Sequence, residues 1–542
     1  MVDKSSDRPG GGDGGLSRRD LLVSAGSVLL AGGLAACGGS GGSSGGTGGS
    51  STAAGTPKRG GNFRLAVTGG GASDIIDGQS IITKPDQARL AASWETLVSY
   101  DDQYKLQIGG DQGGLAEEFT QDNPTQWTIK LRKGIEFNNG KTLTADDVKY
   151  SIQRILDPKE GLFGAAGLAS IDQKNIEVMD PQTVRLHLTA PDSTIAEQFG
   201  QYYNGMVPTG YSRKGPLKWV GTGPFKTTSF TPGTQSVHVR NPNYWRTGQP
   251  YFDQVTVIDS PSETAQVNAL LSGQVDAITD IPFAQISVAK SNGGLAILVT
   301  TGGGWLPLCM AIDMDPFKDN RVRQAMRLIV DRNAMLQQVL SGYGHVANDL
   351  FSPFDACYTT SLAQREQDID KAKSLLKAAG QSDLKIQLST SPIFPGFVEA
   401  ATLLAQQAKQ AGVTMNLKQV PPNSYYNPSL LYLKMPFAET QWPISSLKFF
   451  FLQALATDAP YNETHWKSKP WNDLLAKAIA EPNKAKAQSL WNQVQKIQYD
   501  TGGYLNWTNA DWVDGLSKKV QGLKPSAAGV LGNYRFLDAW LA

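Results

Sequence analysis

Two short segments contain the residue types of known reactive loops. Residues 41–45 read Gly-Gly-Ser-Ser-Gly and match the G-x-S-x-G turn that presents a nucleophilic serine, but no strand and helix flank them. We interpret this match as chance. Residues 134–142, GIEFNNGKT, have five residues between the two glycines, whereas a phosphate-binding loop has four. Because that spacing determines how backbone amides surround a phosphate, this segment indicates a strand, a turn and a helix start instead.

The sequence also contains no motif for a metal site or for acid–base catalysis. The four histidines are scattered along the chain at His187, His238, His345 and His465, with no His-x-x-x-His or Cys-x-x-Cys spacing to converge ligands. No Ser-His-Asp set can be picked out, and none of the 49 acidic residues is singled out as one of a pair. We therefore predict no catalytic residues, no metal and no cofactor, and a protein that is not an enzyme.

One cysteine does lie in a reactive context. Arg18 and Arg19 precede a short apolar stretch that ends in small residues, which is typical of an export signal. The stretch is too short and too rich in glycine to span a membrane, which requires ~20 apolar residues. Residues 34–37, Leu-Ala-Ala-Cys, resemble a bacterial lipobox, in which the cysteine thiol is acylated, and the arginine pair resembles a Tat signal. We predict a signal peptide over 1–36 and a lipid on Cys37 that anchors the protein to the outer face of the cell membrane.

The residues after Cys37 form a tether. Residues 38–56 contain nothing larger than threonine and are rich in glycine and serine, so they cannot bury enough apolar surface to fold. A flexible coil of this length has a root-mean-square span of roughly 25 Å. Residues 37–56 therefore link the lipid to a folded body.

The remaining chain, from residue 57 to 542, is long enough for two to four domains at ~100–200 residues each. The formal net charge is +1 and no basic block is present, which argues against nucleic acid or an anionic surface as a partner. Cys309 and Cys357 are the two other cysteines. In an oxidising compartment they could form a disulfide, or both could be buried thiols, and the sequence leaves this open.

Strand and helix patterns alternate along the body. Period-two alternation predicts half-buried strands at 127–132, 184–188 and 237–240, and in the last two it puts His187 and His238 on solvent faces. Helix patterns with capping residues are listed here in chain order: 144–157, 320–330, 331–340, 370–380 and 396–411, the last followed by a strand at 413–417. This mixture predicts α/β lobes rather than a barrel or a bundle.

Several segments resemble the extracytoplasmic solute-binding proteins of family 5, the receptors of oligopeptide, dipeptide, nickel and opine ABC importers. They occur in the family's order: LAEEF at 115–119, the block 127–156, GTGPF at 221–225, RNPNYW at 240–245, ALLSGQVD at 269–276, the block 317–344 and DKAKSLL at 370–376. The segments span most of the body, so the match is more specific than any single motif.

The resemblance implies an α/β, three-lobed fold like that of periplasmic binding proteins (type II, cluster C). Lobe I would comprise 57–98, 218–306 and 508–542, lobe II 99–217, and lobe III 307–507. In this family the ligand is enclosed between lobes I and III by a hinge motion.

Ligand contacts are expected in that cleft. Six of the twelve tryptophans fall near the end of the chain and could form aromatic walls: Trp442, Trp466, Trp471, Trp491, Trp507 and Trp512. Trp442 aligns with a family segment in which a tryptophan precedes, by three residues, an aspartate that holds a peptide's terminal amine. Ser445 occupies that aspartate's position, and a hydroxyl cannot neutralise a buried ammonium. We expect Trp442 to stack on the ligand, Ser445 to contact its polar end together with Tyr425 and Trp305, and Gln79 to reach it from lobe I.

The resemblance thus implies a monomeric, lipid-anchored substrate-binding protein that captures a peptide-like or other small polar solute by lobe closure. Its partners would be the permease subunits of an ABC importer, with a separate cytoplasmic ATPase. Two alternatives stay open from the sequence: a secreted hydrolase on a binding-protein scaffold, and a ligand sensor without transport.

Overall fold

The computed structural model describes residues 56–72, 74–80, 83–421, 425, 433–443 and 445–542, with only the backbone of Gly303 and Pro443. The predicted signal peptide, Cys37 and all but the last residue of the tether lie outside the described residues. No helix of the described part is long and apolar enough to cross a membrane.

The strands, in chain order, are β1 (Asn62–Thr68), β2 (Ser99–Tyr100), β3 (Leu106–Gln107), β4 (Ala116–Asn123), β5 (Gln126–Leu131), β6 (Ile171–Asp180), β7 (Thr183–Leu188), β8 (Phe225–Thr231), β9 (Gln235–Arg240), β10 (Gln254–Ser260), β11 (Ala277–Ile278), β12 (Leu295–Trp305), β13 (Leu308–Met310), β14 (Gly344–Val346), β15 (Lys385–Thr390), β16 (Thr414–Gln419), β17 (Phe437–Glu439), β18 (Trp442–Pro443), β19 (Tyr504–Leu505), β20 (Thr508–Ser517), β21 (Val520–Gln521) and β22 (Trp540–Leu541).

The α-helices, in chain order, are α1 (Lys84–Ser93), α2 (Ala145–Leu156), α3 (Ile195–Gln198), α4 (Glu263–Leu271), α5 (Ile286–Ser291), α6 (Asn320–Ile329), α7 (Arg332–Leu340), α8 (Ile369–Ala378), α9 (Phe397–Gln410), α10 (Leu447–Ala454), α11 (Lys469–Ala480), α12 (Lys484–Thr501) and α13 (Val530–Asn533). The sequence predicted helices at the positions of α2, α6, α7, α8 and α9. The expected N-cap of α2 is confirmed, because Thr144 and Asp147 form a reciprocal capping box there.

Three larger sheets organise these elements. A nine-stranded sheet has the order β18-β12-β20-β11-β1-β10-β9-β8, with β14 added beside β20. A five-stranded sheet has the order β16-β15-β17-β13-β19, and a four-stranded antiparallel sheet has the order β4-β5-β7-β6. The three segments assigned to lobe I supply most of the nine-stranded sheet, while β14 and β18 come from the segment assigned to lobe III. The lobe boundaries themselves stay a prediction.

The four-stranded sheet shows the alternation that the sequence predicted. Trp127, Ile129 and Leu131 are buried on one face of β5, as are Val184, Leu186 and Leu188 on β7. They pack against α2 through Val148, Ile152 and Ile155 in a single apolar core. The periodicity therefore identified the inner faces of these elements correctly.

The expectation that His238 faces solvent was wrong. On β9 the buried positions are Ser236 and His238, and His238 is fully buried. Helix α1 covers this face of the sheet, and its Ser93 hydroxyl lies 3.1 Å from Nδ1 of His238. The hydroxyls of Thr227 and Ser236 complete the imidazole's hydrogen bonds at 3.0 and 2.9 Å. Because every nitrogen is satisfied by a hydroxyl, the polar face of β9 can be the inner face.

Cys309 and Cys357 form no disulfide with each other, so the pairing that the sequence left open is absent here. Cys309 is held in β13 between Ala438 of β17 and Tyr504 of β19. Cys357 lies in the loop before α8, where its N–H donates to Asp355 at 2.8 Å and its carbonyl accepts from Gln495 at 2.8 Å. Burial raises the pKa of the Cys357 thiol to about 12.

Candidate ligand-binding site

The chain crosses three times between the nine-stranded and five-stranded sheets within a few residues. β12 of the first sheet is followed by β13 of the second after residues 306–307, β17 leads back to β18 after residues 440–441, and β19 returns to β20 after residues 506–507. β12 is the antiparallel neighbour of both β18 and β20, so the three crossings lie side by side. Short adjacent connections between two sheets are the geometry of a hinge.

A cavity of about 270 Å³ lies at this crossing. It is lined by Thr68, Gly69, Lys84, Glu263, Asp280, Ile281, Pro282, Phe283, Gly304, Leu306, Ile393, Phe394, Pro395, Gln441, Ala510, Asp511, Trp512 and Val513. Residues from the segments assigned to lobe I, Leu306 included, form most of the wall. The loop 393–395 closes it from the side of the five-stranded sheet, and Gln441 lies in the connection between β17 and β18. The cavity therefore occupies the place where the family resemblance puts the cleft.

The polar side chains of the cavity wall come from the ends of secondary-structure elements. Lys84 is the first residue of α1, where Thr83 caps the helix, and Glu263 is the first residue of α4 after the Ser262 cap. Asp280 follows β11 in a left-handed conformation, with φ at 52°, and its N–H donates to Asp514 Oδ1 at 3.1 Å. Helix starts and strand ends thus converge on one point, as is common for ligand sites in α/β proteins.

An ion pair joins two of these groups. The Lys84 ammonium contacts the Asp280 carboxylate. Burial would lower the pKa of Lys84, but the attraction of Asp280 outweighs burial and raises it, so the lysine stays charged. Burial raises the pKa of Glu263, and the charge of Lys84 opposes that shift.

Asp511 is held by an irregularity in the neighbouring strand. The pairing of β12 with β20 shifts between Thr300 and Gly304, and within that bulge Gly302 has φ at 73°. The bulge points the Gly302 N–H at Asp511 Oδ1, 2.7 Å away. Burial raises the pKa of Asp511. A Gly-rich bulge therefore aims a carboxylate into the cavity wall.

Four of the five residues predicted to contact ligand lie together, but beside the cavity rather than on its wall. Trp442 and Trp305 are cross-strand partners at the junction of β18 and β12, and both are fully buried. The Trp442 ring packs edge-on against Phe450 and Tyr461, and its N–H donates to Glu463 at 2.9 Å. The two tryptophans belong to one aromatic core with Tyr425.

Tyr425 and Ser445 occupy the same region. The Tyr425 hydroxyl lies 2.7 Å from the carbonyl of Glu439 and 3.1 Å from that of Ser389. Ser445 is buried, and its carbonyl accepts a hydrogen bond from Ser352. The ligand contacts assigned to these four residues remain predictions.

Gln79 lies elsewhere. Its amide nitrogen donates to the carbonyls of Ser151 and Gly205 at 3.1 and 2.9 Å, and its amide oxygen accepts from Arg154 at 2.9 Å. Ser151 and Arg154 belong to α2, so Gln79 ties the lobe I segment to the four-stranded domain. All its polar atoms are used there, and its side chain is not part of the cavity wall.

Sequence reasoning included Trp512 among six candidate aromatic residues, and it is the one of the six that lines the cavity. It did not find Glu263, Asp280, Gln441 or Asp511. The only available signals were the helix caps before Lys84 and Glu263 and the glycine run before Trp305, and none of these marks a cleft by itself. Among the described residues no cluster of three or more His, Cys, Asp or Glu side chains has the arrangement of a metal site.

Comparison with known proteins identifies the family. The sequence profile of the bacterial extracellular solute-binding proteins, family 5 (middle part), matches residues 111–463. The chain belongs to this family. The resemblance noted in the sequence is thereby confirmed, and with it the role of a substrate-binding protein that works outside the cytoplasm with an ABC importer.

Individual relatives are similar to this family 5 protein over most of its length. It is 24% identical over 463 residues to the peptide transport periplasmic protein SapA of Salmonella typhimurium, covering 78% of this chain and 83% of SapA. It is 25% identical over 453 residues to heme-binding protein A of Haemophilus influenzae, covering 77% and 82%. The structure of the ABC transporter substrate-binding protein CtaP of Listeria monocytogenes superposes with a TM-score of 0.77 at 21% identity, covering 89% of this chain and 100% of CtaP. The predicted periplasmic-binding-protein-like fold is confirmed.

Proposed function

We propose that this family 5 protein is a lipid-anchored receptor that takes a peptide-like or other small polar solute into the cavity at the sheet crossing and delivers it to an ABC permease. The observation that carries this proposal is the position of the cavity, since its wall contains residues from both sides of the three crossings. A rotation about residues 306–307, 440–441 and 506–507 would move the Ile393 and Phe394 side of the wall against the Trp512 side. Binding and lobe closure are thereby coupled.

The cavity wall supports binding without catalysis. Its described side chains include no serine, cysteine or histidine, and Thr68 is the hydroxyl among them. Nucleophilic catalysis needs a nucleophile within hydrogen-bond reach of a base, but the Thr68 hydroxyl has no hydrogen-bond partner among the described residues and the one lysine of the wall is paired with Asp280. We therefore expect the protein to release the solute chemically unchanged. Incubation of bound solute with the protein, followed by mass spectrometry, would contradict this point if a product accumulated.

The relatives do not determine the identity of the solute. Their names describe a peptide transport protein and a heme-binding protein, which are chemically different ligands. The lining of this cavity must therefore decide the specificity. Its volume is at the small end for ligand pockets, which favours a compact solute.

A matched pair of substitutions tests the site. Ile393→Trp adds volume at a half-buried position of the cavity wall, whereas Ile108→Trp makes the same change at an exposed position of the predicted lobe II. We expect Ile393→Trp to deplete the solute that co-purifies with the wild-type protein in native mass spectrometry, with little change in Tm. Ile108→Trp should keep the solute. Full retention of the solute by Ile393→Trp would contradict the assignment of the cavity.

The lipid anchor rests on residues 17–37 of the sequence and is tested separately. Only a thiol can accept the lipid, so Cys37→Ala should release the protein from the membrane fraction. Arg18→Lys with Arg19→Lys should slow export if the arginine pair is a Tat signal. Membrane retention of the Cys37→Ala protein would refute the anchor without affecting the ligand site.

A further inference from the structure

We propose that the solute of this cavity carries an ammonium or guanidinium group on an apolar body, and that Asp511 and Gln441 hold that group. This inference rests on the proposed function, because it assigns a ligand class to the same cavity. It also assigns recognition of the ligand's positive charge to Asp511 instead of position 445, where Ser445 has no negative charge to offer.

The charges of the cavity wall are unbalanced. Three carboxylates, Glu263, Asp280 and Asp511, face one ammonium, that of Lys84, and Asp280 already contacts it. The histidine near Asp511, His345, has Nε2 3.8 Å from Asp511 Oδ1, and its side chain is 56% exposed. Within the described part of the wall no arginine and no second lysine compensates the acids. A buried uncompensated carboxylate is unfavourable, so a cation is the ligand charge that fits this wall.

The hydrogen-bonding groups indicate the same kind of ligand. Gln441 is only 3% exposed, lines the cavity, and its Oε1 has no hydrogen-bond partner among the described residues. Asp511 uses Oδ1 for the Gly302 N–H, and Oδ2 accepts no hydrogen bond from the described residues. Both free atoms are acceptors. A ligand that satisfies them must donate N–H or O–H bonds, and ammonium and guanidinium groups donate three and five.

Gln441 and Trp512 are close to one another. A Cβ atom placed on Gly304 would lie 3.3 Å from Gln441 Nε2 and 3.5 Å from Trp512 Cζ2, so the two side chains flank one point of the wall. Asp511 precedes Trp512 on β20, is fixed by Gly302 of the same glycine run, and lines the same cavity. Glycine at 304 keeps the point between Gln441 and Trp512 open.

The rest of the wall suits an apolar body. Trp512, Phe283, Phe394 and Leu306 line the cavity. An indole face also attracts a cation, so Trp512 contributes to both parts of the ligand. The combination of aromatic walls with acceptors at one end favours an amphipathic cation over a uniformly polar solute.

The test uses probes that carry an aromatic ring on a two-carbon chain and differ in charge. Tryptamine and phenethylguanidine are the cationic probes, indole-3-propionamide is the neutral one and indole-3-propionate the anionic one. Each is added to the wild-type protein, freed of bound solute, at about 1 mM, a concentration that detects weak binding. We expect tryptamine or phenethylguanidine to raise the Tm and the other two to leave it unchanged.

Substitutions then locate the cationic group. Asp511→Asn removes the charge but keeps an oxygen for the Gly302 N–H, so the bulge should persist. We expect it to weaken binding of the cationic probe about 30-fold or more in calorimetry. Gln441→Met, which removes the acceptor at similar size, should weaken it about tenfold. As a control, Asp473→Asn makes the same aspartate-to-asparagine substitution at an exposed residue, which forms an i, i+4 ion pair with Lys469. It should not change the affinity for the cationic probe.

Three results would overturn the inference: stronger binding of the propionate or propionamide, binding of the cations that Asp511→Asn leaves unchanged, or no Tm shift with either cation. The proposed function would survive each of them if Ile393→Trp still depletes the co-purifying solute. Loss of that depletion would instead remove the site itself.

Discussion

Trp442 illustrates how far a residue's neighbours determine its role. Its indole is enclosed by Phe450 and Tyr461, and its N–H is bonded to the Glu463 carboxylate, which also accepts from Tyr504 at 2.6 Å. The ring contributes to the core of the five-stranded domain, while its neighbour Gln441 reaches the cavity. The same two-residue segment therefore serves stability and binding with different side chains.

For Trp442→Phe we expect a loss of stability. The substitution keeps an aromatic ring but leaves a buried Glu463 oxygen with one donor fewer, which costs about 1–3 kcal/mol. The free energy of unfolding from chemical denaturation measures this loss, and calorimetry with a bound solute should show affinity kept within about threefold. A large drop in affinity at unchanged stability would support the stacking role that the sequence predicted.

His238 makes stability depend on pH. Burial lowers its pKa to about 3 in the folded protein, with a smaller contribution from the charge of Arg89, whereas an unfolded histidine titrates near 6.5. The folded state therefore excludes the proton, and the stability due to neutral His238 is present above about pH 6.5 and is lost as pH falls. From pH 7 to pH 5 this single group lowers the free energy of unfolding by about 2 kcal/mol.

His238→Gln tests this dependence, because glutamine keeps donors and acceptors but does not titrate. We expect the free energy of unfolding of the variant to fall by about 2 kcal/mol less than that of the wild type between pH 7 and pH 5. Comparing the two slopes cancels the titration of all other groups. Parallel slopes would mean that His238 does not titrate differently on unfolding.

At the scale of elements, the β12 bulge connects backbone conformation to the ligand site. Gly302 adopts a left-handed conformation that L side chains rarely adopt, and its N–H fixes Asp511. The strand would otherwise continue in register with β20, and Asp511 would lose this donor. The backbone conformation of the bulge therefore fixes the position of the Asp511 carboxylate in the cavity wall.

Gly302→Ala should affect stability and binding together. Forcing alanine into this conformation costs about 1–2 kcal/mol or straightens the bulge, and either result displaces Asp511. Gly134→Ala is the matched control, because Gly134 also has a positive φ of 74° and open space around it, but lies far from the cavity in sequence and fold. We expect both variants to lower the Tm and only Gly302→Ala to weaken binding. Equal affinity in both would show that the bulge does not position the site.

At the scale of the whole molecule, buried polar contacts attach the segment assigned to lobe II to the segments assigned to lobes I and III. Arg154 of α2 bonds Asp77 at 2.7 Å and Gln79, joining the four-stranded domain to the lobe I segment. On the other side Lys448 of α10 pairs with Asp192, both nearly completely buried. Around the cavity, the described residues include no fully buried ion pair between the segments assigned to lobes I and III, as the proposed hinge motion requires.

Ligand binding should therefore make the molecule more compact. We expect a smaller radius of gyration in small-angle scattering with saturating solute, together with a change in tryptophan emission, since Trp512 lines the cavity. Trp512→Phe should remove most of the emission change while the scattering change persists. An identical scattering profile with and without solute, for a protein shown by calorimetry to bind, would contradict closure on binding.

The sequence by itself determined the features that depend on short-range order. Period-two and helical periodicity placed β5, β7 and α2 with their buried faces, because a residue's face follows from its spacing within one element. Ordered family segments identified the fold and the solute-binding role, and residues 17–37, outside the described part, carry the expectation of a signal peptide and lipid.

Only the tertiary structure decided which residues meet. Gln441 and Asp511 lie far from Glu263 and Asp280 in the chain, and all four line one cavity because three strands cross between the sheets beside it. For the same reason His238 proved to be buried, since helix α1 covers its face of β9, and Gln79 proved to belong to the junction with α2. Such contacts depend on how elements that are distant in the chain pack together. Residue type and local spacing do not predict that packing.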